Sequence, residues 1–145
     1  MLEVRTEYKN INDLFDLYIE LGWNRINLSK EELNIMTKNS WYNLFYYDDK
    51  RLIGTGRIIS DGIITGIICG VGVSPKYQKQ GIGKNIVKEL VSFCESKKVF
   101  PQLLCEKDLV GFYKSLDFEE FASGMNYKIK SRYSYYGCVA KFLSI

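Results

Sequence analysis

Val73-Ser74-Pro75-Lys76-Tyr77-Gln78-Lys79-Gln80-Gly81-Ile82-Gly83-Lys84 is the stretch whose reading decides the fold. An apolar strand pattern ends at Val73, Pro75 turns the chain, and a glycine-punctuated loop runs into a helical pattern. The first backbone N–H groups of a helix have no internal partner and lie at the positive end of its dipole. Gly81 and Gly83 remove side chains that would hold a ligand off that backbone, while Lys76, Lys79 and Lys84 add positive charge. Such a segment suits phosphate or pyrophosphate. Two other phosphate loops are excluded. GxxxxGK[ST] does not occur, and no GxGxxG follows an N-terminal strand; Gly70-x-Gly72 lies inside a strand pattern.

Outward from that loop the chain alternates between helix and strand signals. Upstream, Ile63–Val73 is a near-continuous apolar run, the mark of a central strand covered on both faces. Before it, Trp41–Tyr47 and Arg51–Ser60 read as a hairpin turning at Asp48-Asp49-Lys50. Ser29 and Glu32 form a capping box at the head of a helix, and a first helix begins at Asn10 and stops at Gly22. Glu3–Tyr8 alternates as a short strand. Downstream, Ile82, Ile86, Val87, Leu90, Val91, Phe93 and Cys94 make one apolar helical stripe. Phe100–Cys105 follows as a strand, and Asp108 is placed to cap a short helix over LVGFYKSL. Phe118–Phe121 and Met125–Lys130 read as two last strands. The sum is an α/β (α+β) domain with a mixed sheet.

With 145 residues the chain is one domain, residues 131–145 forming a C-terminal extension with strand-like content. That extension could add a strand or pair across a homodimer, which would cover its Tyr133, Tyr135, Tyr136, Val139 and Phe142. No apolar run reaches the ~18–20 residues of a membrane helix, and the N-terminus shows no signal peptide, so a cytoplasmic protein without a membrane partner is expected. Four scattered cysteines, no CxxC pair and no histidine argue against a metal site and against Ser-His or Cys-His nucleophilic chemistry. Residues 1–72 carry net −2 and residues 73–145 net +5, so the basic half suits an anionic ligand or reflects scattered surface lysines. No run interleaves basic and aromatic residues, so no nucleic-acid partner is expected.

Gln78-Lys79-Gln80-Gly81-Ile82-Gly83 meets the pattern Q/R-x-x-G-x-G/A. With Val73, Pro75 and Tyr77 before it, and Gly111-Phe112-Tyr113-Lys114-Ser115-Leu116-Asp117-Phe118 about thirty residues on, the sequence resembles the GNAT (Gcn5-related N-acetyltransferase) superfamily over roughly residues 3–130. The second element is similar to the family's FYxKLGF, with Asp117 in place of the usual glycine. Leu21-Gly22-Trp23, Arg57–Gly62 and Gly124-Met125 resemble a subgroup of small bacterial-type members.

The resemblance implies the GNAT fold: a mixed, mostly antiparallel sheet of six to seven strands with helices on both faces, splayed between strands 4 and 5. It implies acetyl-CoA as cosubstrate, with no metal, and direct transfer of the acetyl group to a small primary amine. Catalytically weak binding of acyl-CoA, and transfer to a protein N-terminus or lysine, are the alternatives. The backbone of Gln78, Lys79, Gln80, Gly81, Ile82, Gly83 and Lys84 would hold the pyrophosphate, with Phe112 beside the coenzyme. Val71, Gly72 and Val73 would pair with the pantetheine arm, and an amide near Val71 would face the developing oxyanion. Gly70 and Gly72 mark close approach of that ligand, a bulge, or tight packing against a helix.

Tyr113 matches the tyrosine that protonates the departing thiolate; it could also only hydrogen-bond the sulfur or pack in the core. For the base, Ile68-Cys69-Gly70-Val71 offers no carboxylate, which leaves Glu106 as base or helix cap, the more distant Asp61, or a water chain. Cys69 or Cys105 as acyl carrier would need a different mechanism. Trp23, Trp41, Tyr42, Tyr46, Tyr47 and Tyr127 are candidate walls of the acceptor pocket.

Overall fold

In the computed structural model, residues 1–127 and the backbone of 143–144 are described. Strands β1 (Leu2–Arg5), β2 (Tyr42–Asp48), β3 (Arg51–Ile59), β4 (Thr65–Val73) and β5 (Phe100–Leu103) lie in that order in one sheet, and β6 (Leu143–Ser144) joins β4. The first three pairings are antiparallel; β4–β5 and β4–β6 are parallel. Helices α1 (Ile11–Glu20) and α2 (Lys30–Lys38) cover one face and α3 (Ile82–Ser96) the other, with α4 (Val110–Lys114) after β5.

Strand alternation produces the two faces. Leu44 and Tyr46 of β2 point into the core under α3, whereas Phe45 and Tyr47 point into the core under α1 and α2. Glycines on β3 let α3 come close. A Cβ at Gly56 would stand 2.6 Å from Ile86 Cγ2 and 3.0 Å from Leu90 Cδ1. The capping box at Ser29 and Glu32 is present on α2, and Asn10 caps α1 by accepting from Asn12 N.

The sheet splays where it was expected to. β5 pairs with β4 only from Thr65 to Ile68, and β4 continues to Val73 beyond it. Between Thr55 and Arg57 the β3–β4 register shifts, and Gly70 takes φ +58, a bulge that turns β4 at the splay.

Three local expectations are corrected. Phe118–Phe121 and Met125–Tyr127 are not strands; residues 128–130 lie outside the described residues. Phe118 instead donates its N–H to the Tyr113 carbonyl at 3.1 Å and packs on the core, while Phe121, Met125 and Tyr127 are exposed. Asp108 does not cap the short helix: it lies within a 3-10 turn, Lys107–Leu109, and Leu109 occupies the α4 cap position. Tyr133, Tyr135, Tyr136, Val139 and Phe142 lie outside the described residues.

Candidate active site

The loop after β4 is held by its own side chains. Ser74 is fully buried; its N–H donates to the Ile53 carbonyl at 2.7 Å and its hydroxyl to Glu20 at 3.0 Å. Pro75–Tyr77 forms a 3-10 turn, and Tyr77 donates its hydroxyl to Asp48 at 3.1 Å. The Gln78 side chain reaches back to the Val73 carbonyl at 2.9 Å, and the Gln80 side chain to the Lys76 carbonyl at 3.1 Å. Both glutamines therefore brace the loop through their amide side chains, a role their place in the motif did not disclose. The Gln78 N–H leans on the Pro75 carbonyl at 3.5 Å, a marginal bond.

The helix that follows opens without a side-chain cap. Gly81 holds the cap position at φ +85, no acidic residue lies in the first turn, and the first bond back to Gly81 comes from Asn85 N at 3.0 Å. The amides of Ile82, Gly83 and Lys84 thus precede the intrahelical ladder. A Cβ at Gly81 would meet nothing within 4 Å, so the space in front of these amides is open. Lys76, Lys79 and Lys84 are exposed, and among the described residues none has a carboxylate within ion-pair distance. A diphosphate would satisfy amides and lysines together.

Tyr113 on α4 belongs to the same buried cluster as Val71, Val73 and Ile82, so the end of β4, the head of α3 and α4 meet there. It is 2% exposed and its hydroxyl has no partner. Burial, aided by the neighbouring Cys105, pushes this phenol well above its ordinary value. Phe112 is half-buried and meets the Tyr113 ring edge-on at 5.0 Å. Glu106, at the end of β5, is exposed, and its side chain makes no cap to the turn after it.

At the β4 edge, Val71 and Gly72, expected to face a ligand, pair instead with Leu143 and Ser144 of β6. Gly72 is a glycine for packing: a Cβ there would stand 2.5 Å from Trp23 Cη2 and 2.6 Å from Leu21 Cδ1. Of the six candidate wall residues, Trp23 is the one at this strand. Trp41 and Tyr42 pack on Phe93 of α3, with Tyr42 stacked at 3.7 Å, and Tyr46 binds Glu89 on that helix. Tyr47 donates to Asp13 at 3.0 Å, and Tyr127 is exposed. Cys69 and Cys94 are buried free thiols whose pKa values burial raises; Cys105 is half-buried and also raised. Among the described residues no cluster of His, Cys, Asp or Glu could hold a metal ion, and no helix is long and apolar enough to cross a membrane.

Known proteins share this arrangement. The model of the acetyltransferase (GNAT) family matches residues 8–118. An uncharacterised N-acetyltransferase, ycf52, of Gracilaria tenuistipitata var. liui is 32% identical over 114 residues, covering 77% of this chain and 63% of its own. Histone acetyltransferase TAP1 of Glycine max is 31% identical over 128 residues, covering 80% of this chain and 54% of its own. The chain thus spans between half and two thirds of the length of these relatives. A Streptococcus pneumoniae acetyltransferase of the GNAT family superposes with TM-score 0.69 at 26% identity, over 90% of this chain and 98% of its own. A Staphylococcus aureus protein of unknown function superposes with TM-score 0.76 at 24% identity, over 89% of this chain and 100% of its own, a likeness of fold alone. The matched model spans the β4 loop, the uncapped head of α3 and the buried Tyr113, and the chain belongs to the GNAT family of acetyltransferases.

Proposed function

We propose that the protein transfers an acetyl group from acetyl-CoA to the primary amine of a small molecule. The observation that carries this is the uncapped head of α3: α1 and α2 are capped by their own side chains, whereas α3 opens on Gly81 toward empty space and three lysines that have no carboxylate partner among the described residues. The amides of Ile82, Gly83 and Lys84, with Gln80 and Lys79 shaping the approach, bind the pyrophosphate. Gln78 anchors the loop to β4. Phe112 lies beside the coenzyme, and the pantetheine runs along Val71–Val73. Pairing there requires β6 to leave that edge.

The acceptor nitrogen attacks the thioester carbonyl, the C–N bond forms, and the C–S bond breaks. The electron pair of that bond leaves on sulfur, and the amine proton passes to a base. A strand amide near Val71 faces the oxyanion as it develops. The unpartnered Tyr113 hydroxyl donates to the leaving sulfur. Glu106 is the proposed base; its exposure puts it in contact with bulk water, which can carry the proton away. Holding the two substrates together supplies much of the rate.

The test is calorimetric titration with acetyl-CoA followed by CoA release across a panel of amines. Micromolar binding and amine-dependent release are expected; absence of heat from a folded sample would overturn the reading. A protein lysine as acceptor is the second reading, favoured by the histone acetyltransferase among the relatives. Its mark is faster release with peptides than with free amines.

A further inference from the structure

Arg57 stands in the middle of β3, on the face covered by α1 and α2, and is half-buried. Its surroundings are neutral. One terminal nitrogen donates to Ser40 Oγ at 3.3 Å, the Tyr18 hydroxyl lies against the guanidinium, and Nε is buried without an acceptor. Among the described residues no carboxylate comes within ion-pair distance of it. Residues 128–145 contain neither Asp nor Glu. A charged donor such as this Nε, withdrawn from water with no acceptor, is costly to keep.

The β4 bulge brings bare backbone against this group. Gly70 turns the β4 bulge at φ +58, and a Cβ built on it would stand 3.3 Å from Arg57 Nε and 3.6 Å from the Tyr18 hydroxyl. Gly70 thus packs closely on the guanidinium, with no side chain of its own between them. Two residues on, on the same face, the Trp23 ring lies on Gly72, and its indole N–H is also buried without an acceptor. Two orphaned donors therefore flank one bulge, at the place where the sheet splays. A planar guanidinium fork is matched by the paired oxygens of a carboxylate or phosphate.

We propose that Arg57 binds an anionic oxyacid group carried by the acceptor, so that the substrates are acid-bearing amines of the amino-acid type. This rests on the acetyl-transfer reading above, since it places the acceptor beside the β4 bulge. Arg57 sets specificity through the group it binds; it performs no proton transfer.

The test compares CoA release from acetyl-CoA with matched amines: propylamine, β-alanine and 2-aminoethylphosphonate, and phenethylamine against phenylalanine. Acid-bearing members should exceed their neutral counterparts in kcat/KM by about 10–100-fold, mostly through KM. The carboxylate and phosphonate arms tell the two acid groups apart. Arg57→Gln should erase that advantage. Gly70→Asp should erase it too, by supplying a carboxylate from β4 while keeping the arginine, and aspartate tolerates positive φ better than most residues. Thermal melts check that both variants fold. Equal rates for acid and neutral amines, or a preference that survives Gly70→Asp, would overturn the proposal. If no amine is turned over, the same series is titrated into the protein loaded with acetyl-CoA, and acids that bind no better than their neutral partners overturn it as well. Acetyl-CoA binding is measured before any amine is added. Its absence defeats the proposed function itself, and the acceptor assignment falls with it.

Discussion

Tyr113 carries a buried hydroxyl that the protein itself leaves without a partner, and the proposed reaction uses it. Its raised pKa keeps the phenol protonated at neutral pH. Full transfer to a thiolate is uphill: an ordinary phenol near 10 and a thiol near 8.5 differ by about 2 kcal/mol, and burial widens the gap. In the proposed reaction the hydroxyl would therefore act chiefly by a hydrogen bond to the sulfur as charge builds. Tyr113→Phe should lower kcat about 100-fold while leaving the acetyl-CoA Kd within a factor of about three. The same change removes a buried hydroxyl that has no partner, so the protein should become more stable by about 1 kcal/mol, a rise of some 2–4 °C in Tm. A lowered Tm would show that the hydroxyl is partnered after all. Asp117, where relatives usually have glycine, adopts φ +66 at the end of the α4 turn. Aspartate thus holds a left-handed conformation of the kind glycine adopts without strain. Asp117→Gly should change stability by no more than about 1 kcal/mol, relief of strain being offset by added freedom in the unfolded chain, and turnover should not change. Arg57 could not be singled out from sequence, because whether a strand arginine has a counter-ion depends on residues far along the chain. The visible signal was weak: a lone charge in RLIGTGRII, a strand otherwise apolar or small past its first residue.

Among the elements, α3 opens on a first turn that no side chain caps, and the proposed function puts the pyrophosphate there. Gly81→Glu should abolish acetyl-CoA binding, because the side chain enters the open space before the first amides and brings negative charge. Gly81→Ala is the control. It suffers the same φ +85 strain, about 1–2 kcal/mol, yet leaves the charge pattern intact. Calorimetry should show lost binding for the glutamate variant and a retained Kd for alanine, with similar drops in Tm. Equal loss of binding in both would trace the effect to loop geometry. Elements with local causes were legible: the capping box of α2, the glycine start of α3, and the apolar run of β4. Phe118–Phe121 was misread because four residues, apolar only at their two ends, carry no period of their own; Phe118 is drawn instead to the core by a bond to the Tyr113 carbonyl.

Across the whole molecule, the aromatics divide between the two faces of the sheet. Trp41, Tyr42 and Tyr46 serve the core under α3, and Trp23 and Tyr18 sit by the β4 bulge. The alternation of β2 was readable, but which face met which helix was not, since that is set by tertiary packing. Burial leaves its mark on the pH dependence of stability. It raises the pKa values of Tyr18, Tyr46 and Tyr113, and that of Tyr47 to about 12. These groups hold protons more tightly when folded. Their stabilisation is complete below the unfolded value near 10 and is lost as pH rises through each folded value, at about 1.4 kcal/mol per pH unit per phenol. The buried thiols of Cys69 and Cys94 behave alike from about 8.5 upward. With no histidine in the chain, urea midpoints should stay level from about pH 6 to 8 and fall steeply above 10.

The contact between the Trp23 ring and Gly72 has a practical use. The chain has two indoles, and the other, Trp41, is wedged against Phe93 on the far side of the sheet. Replacing Trp41 with phenylalanine would leave a single tryptophan, at the splayed strand, which excitation beyond the tyrosine band selects. Its emission would then report, without any label, each arrival and departure of a molecule at that strand.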